Sequence, residues 1–413
     1  MTRSSKTVLV VGGGPAGMMA ALAAAGRGAS VTLLDRMDKP GKKILVTGNG
    51  RCNITNARPD PARYHGAPAA FTETALRSFS VPQTLEFFRT LGLPCVEEEE
   101  GRVYPSCGQA SAVVDVLRFE MERRNVRVQV GADVHRLARA GGAFKAETKD
   151  GRSFAADRVI VAAGGKAGPQ WGSDGSGLEL LRALGHRVTP LFPVLVQLNL
   201  RAAFLKAVDG VRFNGAAAVM DQGRVVREET GEIQLTDYGA SGIPVLDLSR
   251  AAGECLLQKR EPVLELRLFP GRSAPDLLAD IEGRLSSRPD ETLDRALLGL
   301  VHAHLLPVLL QAAGFKNKHL ACRHAPPENA RRLAELLKRW TAPITGTQPW
   351  SRAHVTAGGV DAAELTAGTL ESKIVPGLFL AGEVIDVDGD CGGYNLQWAW
   401  SSGQAAGVHA AGN

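Results

Sequence analysis

The sequence predicts an α/β fold in which a parallel sheet is built from both ends of the chain and is interrupted by a two-part insertion. Three observations predict it. The first 35 residues read as strand, glycine turn, helix and strand; residues 190 to 349 change to short strands and then to helical patterns; the residues after 354 return to strand and helix. With 413 residues, 44% of them hydrophobic, the chain is long enough for a large domain and a further module.

The stretch TVLVVGGGPAGMMAALAAAGRGASVTLLD places a G-x-G-x-x-G motif between a strand and a helix. Gly12 permits a tight turn, Gly14 lets a pyrophosphate approach the backbone, and Gly17 lets the helix pack close to the strand. The helix begins near Pro15, where free N–H groups and the positive dipole end attract phosphate. Asp35 closes the second strand and can accept the ribose hydroxyls of an adenosine. A secretory signal would not explain this strand–turn–helix–strand order.

Two later segments favour FAD over NAD as the dinucleotide. DRVIVAAGG, residues 157–165, is an apolar strand that runs into a small-residue turn, and GLFLAGEVIDVDGDCGGYNLQWAWSSGQAAG reads as strand, acidic glycine loop and helix from about Asn395. We expect strand ends near residues 12, 164 and 382 to converge on one long ligand. Gly392 and Gly393 let the N-terminus of the last helix approach that ligand, and its positive end would stabilise a reduced, anionic flavin.

The pattern between Pro190 and Pro349 predicts the insertion. PVLVQLNL, GAAAVMDQGRVVREETGEIQLTDYG and VLELRLFPG read as strands with turns at DQG and ETG. Helical periodicity follows over Asp276–Leu285, Leu293–Leu310 and Pro327–Trp340. The predicted organisation is an FAD-binding domain, first part, 1–190; an inserted β-rich substrate domain, 191–272; an inserted helical segment, 273–345; and the C-terminal part of the FAD-binding domain, 346–413.

Five motifs together carry a family resemblance: GKKILVTGNGRCNITN, GRVYPSCGQAS, GEIQLTDYGASG, VTAGGV and ESKIVPGLFLAGEVIDVDGDCGGYNLQWAWSSG. In this order, from about residue 7 to 407, they resemble the BaiN/YhiN-like family of bacterial NAD(P)/FAD-dependent oxidoreductases. The resemblance implies a glutathione-reductase-type FAD-binding Rossmann domain, interrupted by an inserted β-barrel-like segment and a small helical segment. It implies non-covalent FAD more firmly than any one reaction, because activities linked to relatives include both aminoketone oxidation and enone reduction.

The segment GKKILVTGNGRCNITN begins six residues after Asp35 and is expected to follow the FAD from the adenosine towards the flavin. Lys43 and Arg51 can offset pyrophosphate charge, while Thr47, Gly48 and Asn53 can hydrogen-bond near the ribityl chain and ring. The full set of residues expected to bind FAD is Gly12, Gly14, Pro15, Ala16, Gly17, Asp35, Arg36, Lys43, Thr47, Gly48, Arg51, Cys52, Asn53, Val134, Ala163, Gly164, Gly165, Gly382, Glu383, Gly392, Gly393, Asn395 and Leu396.

Flavin chemistry is carried by the N5 and C4a atoms of the cofactor, so the protein need not supply a nucleophile or a metal. His354, before a glycine turn, is a candidate proton donor, although such a histidine is more often structural. Tyr238, in the inserted loop, is the second candidate catalytic residue through contact with the substrate, with a simple turn as the equal alternative. Cys52 is either redox-active or, more simply, a small buried thiol. Because no C-x-x-C pair occurs, a dithiol reductase is excluded.

The sequence predicts a cytoplasmic FAD-dependent oxidoreductase that acts on a small or hydrophobic organic substrate. Reduction by NAD(P)H and oxidation of an amine-type or aminoketone donor, with oxygen or quinone as acceptor, stay open. A flavin-dependent tRNA-modifying enzyme and a non-enzymatic flavin-binding protein are the alternatives. The net charge of +5 would tolerate RNA, but only 5% of residues are aromatic and no basic patch with interleaved aromatics is visible, so nucleic acid is not expected. No metal site or membrane span is predicted, and the oligomeric state is open.

Overall fold

The computed structural model describes residues 6–412, and the chain divides into two compact units. The first unit holds the residues up to Phe192 and those from His354 onwards; the second is Pro193–Ala353. The sequence places the two boundaries at 190/191 and 345/346. Between residues 6 and 412, no helix combines the length and apolar character needed to cross a membrane.

The described chain has six α-helices in the first unit and five in the second. They are α1 (Pro15–Gly26), α2 (Ala69–Ser78), α3 (Val81–Thr90), α4 (Ala110–Arg123), α5 (Ser176–Ala183), α6 (Ile243–Leu257), α7 (Ala274–Ser287), α8 (Leu293–Ala296), α9 (Leu305–Ala312), α10 (Pro327–Lys338) and α11 (Tyr394–Ala411).

The strands are mostly short. They are β1 (Thr7–Val11), β2 (Ser30–Leu34), β3 (Thr55–Asn56), β4 (Tyr64–Gly66), β5 (Cys95–Glu97), β6 (Arg102–Pro105), β7 (Arg127–Gln129), β8 (Val134–Ala140), β9 (Ala143–Thr148), β10 (Ser153–Ala156), β11 (Arg158–Val161), β12 (Phe192–Val194), β13 (Leu198–Leu200), β14 (Arg212–Asp221), β15 (Arg224–Thr236), β16 (Gly239–Ser241), β17 (Val263–Arg267), β18 (Trp340–Thr347), β19 (Val355–Ala357), β20 (Leu378–Leu380) and β21 (Val387–Gly389).

The main sheet of the first unit is parallel and has the strand order β20-β11-β1-β2-β7. Val10 in the central strand is opposite Ile160 on one side and Leu33 on the other, and all three side chains are buried. Both faces of a parallel sheet are covered in an α/β fold, which explains why β1 and β11 are apolar runs rather than alternating patterns. The carboxyl ends of β1, β11 and β20 therefore lie side by side, as the sequence predicts.

The first and last helices, α1 and α11, pack against each other beside this sheet. A Cβ atom on Gly403 would collide with the carbonyl oxygen of Ala16, and one on Gly407 with that of Ala20. Only glycine permits so close an approach of two helix backbones. The small-residue face of α11 thus packs the last helix against α1, the helix that begins directly after the glycine turn.

The second unit contains a closed barrel with the strand order β13-β16-β15-β14-β17-β18. The long hairpin of β14 and β15 turns at Gln222 and Gly223, both of which have positive φ, so the predicted DQG turn is present. Helices α7 and α10 lie between barrel strands β17 and β18 in the sequence and share an apolar core that includes Leu277, Ile281 and Leu333.

Four local predictions are wrong. The helix predicted over Leu293–Leu310 is two helices, α8 and α9, because the chain turns at Gly299 with a φ of +80°. The predicted ETG turn is absent, since β15 runs straight through it and Gly231 pairs with Gly215. Trp340 begins strand β18 instead of ending α10, and the single strand predicted for PVLVQLNL is split between β12 and β13.

Candidate cofactor and active site

The glycine turn after β1 leaves room for a ligand at only one of its motif glycines. Gly12 has a φ of +107°, and a Cβ there would lie 2.5 Å from the carbonyl oxygen of Ala162; a Cβ on Gly17 would collide with the carbonyl of Gly12. By contrast, no described residue other than its two chain neighbours places an atom within 4 Å of the Cβ position of Gly14. Open space at Gly14, directly before α1, fits a pyrophosphate at the positive end of the helix. Pro15 and Ala16 form the first turn of α1.

Asp35 is held facing this turn by two backbone amides. Its Oδ2 accepts a hydrogen bond from Gly13 N at 2.7 Å, and its Oδ1 accepts one from Met37 N at 2.7 Å. Burial raises the pKa of this carboxyl, and the two amides partly offset that effect. Each oxygen keeps acceptor capacity, so the carboxylate suits the ribose hydroxyls of an adenosine.

Arg36 is engaged by carboxylates of the protein. It forms ion pairs with Asp174 and with Asp133, the latter at 3.3 Å between Nη2 and Oδ2. Asp133 directly precedes Val134, a buried residue at the start of β8. The contacts draw the segments before β8 and before α5 towards the end of β2. A contact between Arg36 or Val134 and FAD stays a prediction.

The turn after β11 lies next to the turn after β20. Ala163, Gly164 and Gly165 follow β11, and Gly382 and Glu383 follow β20. The carbonyl oxygen of Gly165 accepts a hydrogen bond from Gly175 N at 2.9 Å. Helix α11 fixes the other turn, since Trp398 Nε1 donates to Gly382 O at 3.1 Å and Gly382 N donates to Ser402 Oγ at 2.9 Å.

A half-buried ion pair links the segment after β2 to these turns. Lys43 Nζ lies 3.1 Å from Glu383 Oε2, and the other oxygen of Glu383 accepts a hydrogen bond from Thr356 N at 3.0 Å. The hydroxyl of Thr356 accepts from Lys166 N and Ala167 N at 2.8 and 2.9 Å. Because Glu383 already balances its charge, Lys43 offers a pyrophosphate less net positive charge than the sequence alone suggests.

The segment after Lys43 forms a compact turn, not a phosphate loop. Thr47 Oγ1 donates to Ile44 O at 2.7 Å, and Gly48 has a φ of +54°. Arg51 stacks over the Tyr104 ring at 4.1 Å and pairs with the exposed Glu98 at its surface. The guanidinium of Arg51 is thus already engaged by Tyr104 and Glu98, and its contact with pyrophosphate stays a prediction. Cys52 is buried, and burial raises the pKa of its thiol to about 12, which is the behaviour of an unreactive thiol.

Asn53 carries the clearest sign of a missing partner. Its Oδ1 atom is buried and has no hydrogen-bond donor among the described residues. A Cβ atom on Gly393 would lie 2.9 Å from this oxygen, so the amide sits beside the N-terminus of α11. Buried polar atoms are almost always hydrogen-bonded. The flavin N3–H and the ribityl hydroxyls are donors of the kind this oxygen lacks, so the residues fit FAD.

The loop before α11 is held by its own side chains. Asn395 Nδ2 donates to Gly389 O at 2.6 Å while its Oδ1 accepts from Gly389 N at 2.9 Å. The side chain of Asn395 thus holds the loop through these two hydrogen bonds, which leaves its backbone amide to contact a cofactor. Gly392 and Gly393 have φ values of +120° and +100°, and the buried Leu396 follows in the first turn of the helix. The N–H groups of that first turn have no partner within the helix and carry its positive dipole end.

The two candidate catalytic residues lie in different units. His354 belongs to the first unit, two residues before Thr356; desolvation lowers the pKa of its imidazole, and the charge of Lys43 lowers it further. Tyr238 belongs to the second unit, half-buried in the turn between β15 and β16, where its carbonyl accepts a hydrogen bond from Leu200 N at 2.9 Å. Their catalytic roles stay predictions.

A serine, a histidine and a glutamate in the first unit have the geometry of a hydrolase triad. Ser372 Oγ lies 2.9 Å from His186 Nε2, and His186 Nδ1 lies 2.8 Å from Glu364 Oε2. However, Ser372 Oγ also accepts hydrogen bonds from the amides of Ile374 and Val375. Its lone pairs are occupied and the His186 side chain is fully buried, so the arrangement is structural.

Sequence reasoning missed a charged cluster at the loop before α11. Asp390, 4% exposed, bonds to both Arg63 and His65, which flank Tyr64 near the start of β4. Strand β4 pairs with β21 although more than 300 residues separate them. No local pattern in ARYHG announces such a pairing, and only the acidic character of the loop gave a signal.

The chain is similar to known proteins over nearly its whole length. The family described as "HI0933-like protein Rossmann domain" matches residues 6–409. The chain is 39% identical to a 3-dehydro-bile acid delta(4,6)-reductase of Clostridium scindens, over 97% of this chain and 98% of that protein. It is 30% identical to a ribosomal RNA dihydrouridine synthase of Escherichia coli, over 96% of each. A solved 3-ketosteroid delta1-dehydrogenase of Sterolibacterium denitrificans shares the fold with a TM-score of 0.54, at 14% identity over 98% of this chain and 100% of that one.

Proposed function

Because this chain belongs to the HI0933-like family of Rossmann-domain proteins, we propose that it is an FAD-dependent reductase of a carbon–carbon double bond conjugated to a carbonyl group. One observation carries the proposal: the names of two full-length relatives describe the same bond change. The delta-4 and delta-6 double bonds of a 3-dehydro steroid are conjugated to its 3-carbonyl, and dihydrouridine is uridine whose ring double bond, also next to a carbonyl, has been reduced.

The residues of the first unit would bind and orient the cofactor, which supplies a hydride from its reduced ring when bound. Gly14 and the start of α1 would hold the pyrophosphate, and Asp35 the ribose. Asn53 would accept a hydrogen bond from the ring or the ribityl chain. The N-terminus of α11, opened by Gly392 and Gly393, would stabilise negative charge on the flavin.

Reduction of a conjugated double bond also needs a proton at the carbon next to the carbonyl. His354 and Tyr238 are the proposed donors. The lowered pKa of His354 keeps its ring mostly neutral at neutral pH. If His354 is the donor, the rate falls as the pH rises through that lowered pKa.

The substrate is proposed to be a small, hydrophobic enone of the steroid type, because the more similar relative acts on one. Uridine within RNA is the second candidate, favoured by the dihydrouridine synthase relative and compatible with a net charge of +5. NADPH or NADH is the proposed reductant. Oxidation of an amine or aminoketone donor by oxygen is the competing reaction.

The test follows the flavin in two stages. The FAD-loaded protein is first reduced by NADPH or NADH in the absence of oxygen, and the reduction is recorded as bleaching of the flavin band at about 450 nm. The reduced protein is then mixed with a 4-en-3-one steroid, with an unmodified ribosomal RNA fragment, or with oxygen. We expect rapid reoxidation by one of the first two and a product with two added hydrogen atoms. The saturated 3-ketosteroid, which lacks the double bond, is the matched control.

Two outcomes contradict the proposal. Reoxidation by oxygen alone, with neither unsaturated substrate changed, would leave an oxidase. A protein that stays colourless after incubation with FAD would remove the cofactor itself from the argument.

A further inference from the structure

A buried carboxylate joins two basic side chains beside the loop that leads into α11. Asp390 Oδ2 accepts a hydrogen bond from Arg63 Nη1 at 3.2 Å, and Asp390 Oδ1 lies 2.8 Å from His65 Nε2. The backbone amide of Asp390 also donates to the carbonyl of Arg63 at 3.0 Å. These contacts bind the end of β21 to β4, two residues before Gly392. Nothing in the proposed reaction uses them.

The carboxylate determines which nitrogen of His65 carries a proton. An ionised carboxylate only accepts hydrogen bonds, so Nε2 donates to Asp390 and Nδ1 is the acceptor of a neutral ring. The His65 side chain is 23% exposed, whereas Asp390 is 4% exposed. Solvent protons therefore reach the ring, and a proton added at Nδ1 gives an imidazolium paired with a buried carboxylate.

Other charged groups on the elements packed against β4 lie on β21, on the segment before β4 and on α2, where Glu73 and Arg77 pair with each other. Asp388 on β21 is its partner across the ladder, and Asp386 lies against the next residue of β4. Arg63 is shared between Asp390 and Asp60, the latter at 4.0 Å. The buried carboxylates of Asp388 and Asp390 can balance a positive charge on His65. His354 contrasts with it, since desolvation and Lys43 both act against its protonation.

We propose that His65, oriented by Asp390, takes up a proton when the bound flavin is reduced and releases it when the flavin is reoxidised. Two electrons and one proton convert FAD to its anionic reduced form, and a second solvent proton binds His65 as the counter-charge. The stretch from Asp390 to Gly393 ends at the helix terminus expected to face that anion, which couples the two charges. The inference rests on bound FAD and on no particular substrate.

The test measures the midpoint potential of the FAD-loaded, full-length protein against pH, from about pH 5.5 to about 9, with reference dyes and no substrate. The wild type is expected to take up two protons per two electrons across part of this range. His65→Gln is expected to take up one, which halves the slope of potential against pH. In Asp390→Asn, the pH range over which two protons are taken up per two electrons should end at a lower pH, because the imidazolium loses its carboxylate partner.

His409→Gln is the matched control, because His409 bonds to the backbone carbonyl of Ala405 in the last helix, away from this cluster. It should keep the wild-type slope. A wild-type slope of one proton throughout, a wild-type slope retained by His65→Gln, or a slope halved by His354→Gln instead would each overturn the proposal. If His65→Gln does not retain FAD, Asp390→Asn takes its place in the test. A wild-type pH range of two-proton uptake in Asp390→Asn would then overturn the proposal. These measurements use no substrate, so a protein that does not reduce enones could still show the proton uptake proposed for His65.

Discussion

The side chain of Asn53 ends in a buried oxygen for which the described chain offers no donor. An unsatisfied buried acceptor costs about 1–3 kcal/mol, and a hydrogen bond regained with FAD is worth about 1 kcal/mol. Asn53→Ala should therefore leave the FAD-free protein at least as stable as the wild type while raising the Kd for FAD roughly fivefold. Fluorescence titration with FAD and thermal unfolding of the FAD-free protein measure the two effects.

Asn56 supplies the contrast, because its Nδ2 donates to the carbonyl of Gly392 at 2.9 Å and to that of Glu100 at 3.2 Å. Asn56→Ala breaks satisfied internal bonds, so it should destabilise the FAD-free protein by about 1–2 kcal/mol. Unchanged FAD affinity and an unchanged rate of flavin reduction in Asn53→Ala would refute the role given to Asn53.

The pKa of His354 is lowered first by desolvation and then by the charge of Lys43. Lys43→Met removes that cation, so it should raise the pKa of His354 and move any reaction step that needs the imidazolium to higher pH. Titration of the histidine ring protons by NMR measures the shift directly. Lys42→Met is the control, since Lys42 pairs with the exposed Asp38. An identical His354 titration curve in wild type and Lys43→Met would contradict the prediction.

At this scale the sequence predicts backbone positions better than side-chain partners. Gly12, Gly17 and Asp35 can be placed from the motif alone, because their roles depend on local turn geometry and on the order of strand and helix. The pairing of Arg51 with Glu98 and of Asp390 with His65 depends on which loops the sheets bring together. Those contacts join residues far apart in sequence, and no local pattern encodes them.

The contact between α1 and α11 is the element-level feature that positions the glycine turn. Gly403→Ala or Gly407→Ala would force a methyl group into the facing backbone carbonyls, and overpacking of this kind costs about 1–3 kcal/mol. We expect lower thermal stability together with weaker FAD retention, because α1 begins at the glycine turn that is proposed to bind the pyrophosphate. Calorimetry and flavin content of the purified protein are the measurements.

Gly283→Ala is the matched control in another helix. Gly283 lies within α7, and no atom approaches its Cβ position within 4 Å. Alanine there should stabilise the protein by about 0.5–1 kcal/mol through helix propensity alone. If all three alanine variants had the same stability, close packing of α1 on α11 would not be what requires glycine.

Periodicity predicted the type of an element correctly where burial alone determined it. The predictions were wrong where contacts between distant parts of the chain determined the structure. The apolar pattern LLGLVHAHLL continues through the break between α8 and α9, so periodicity could not show it. Thr292 at the start of α8 bridges to Ala321, and the chain reverses at Gly299. In β15, pairing with β14 overrides the turn tendency of Gly231.

For the whole molecule, the family resemblance drawn from five motifs is confirmed by the family match over residues 6–409. The predictions of a Rossmann-type FAD-binding α/β fold and of an oxidoreductase are confirmed at that level. The substrate and the electron donor stay predictions. Most of the recognisable motifs lie in the first unit, where the backbone has to fit one particular cofactor. Few lie in Pro193–Ala353, where nothing in the sequence specifies a ligand.

Every residue expected to bind FAD lies in the first unit, which leads to a test on the intact chain. A ligand that binds only the folded state stabilises it by about 2.7 kcal/mol at 100 times its Kd. Hydrogen exchange followed by mass spectrometry should show FAD-dependent protection in β1, α1 and α11, and little in barrel strands β14 and β15. At the same FAD concentration, Asn53→Ala should show a smaller gain in the first set and no difference in the second. Equal protection of the barrel strands would mean that the cofactor is held by both units, and the assignment of the FAD site to the first unit alone would be wrong.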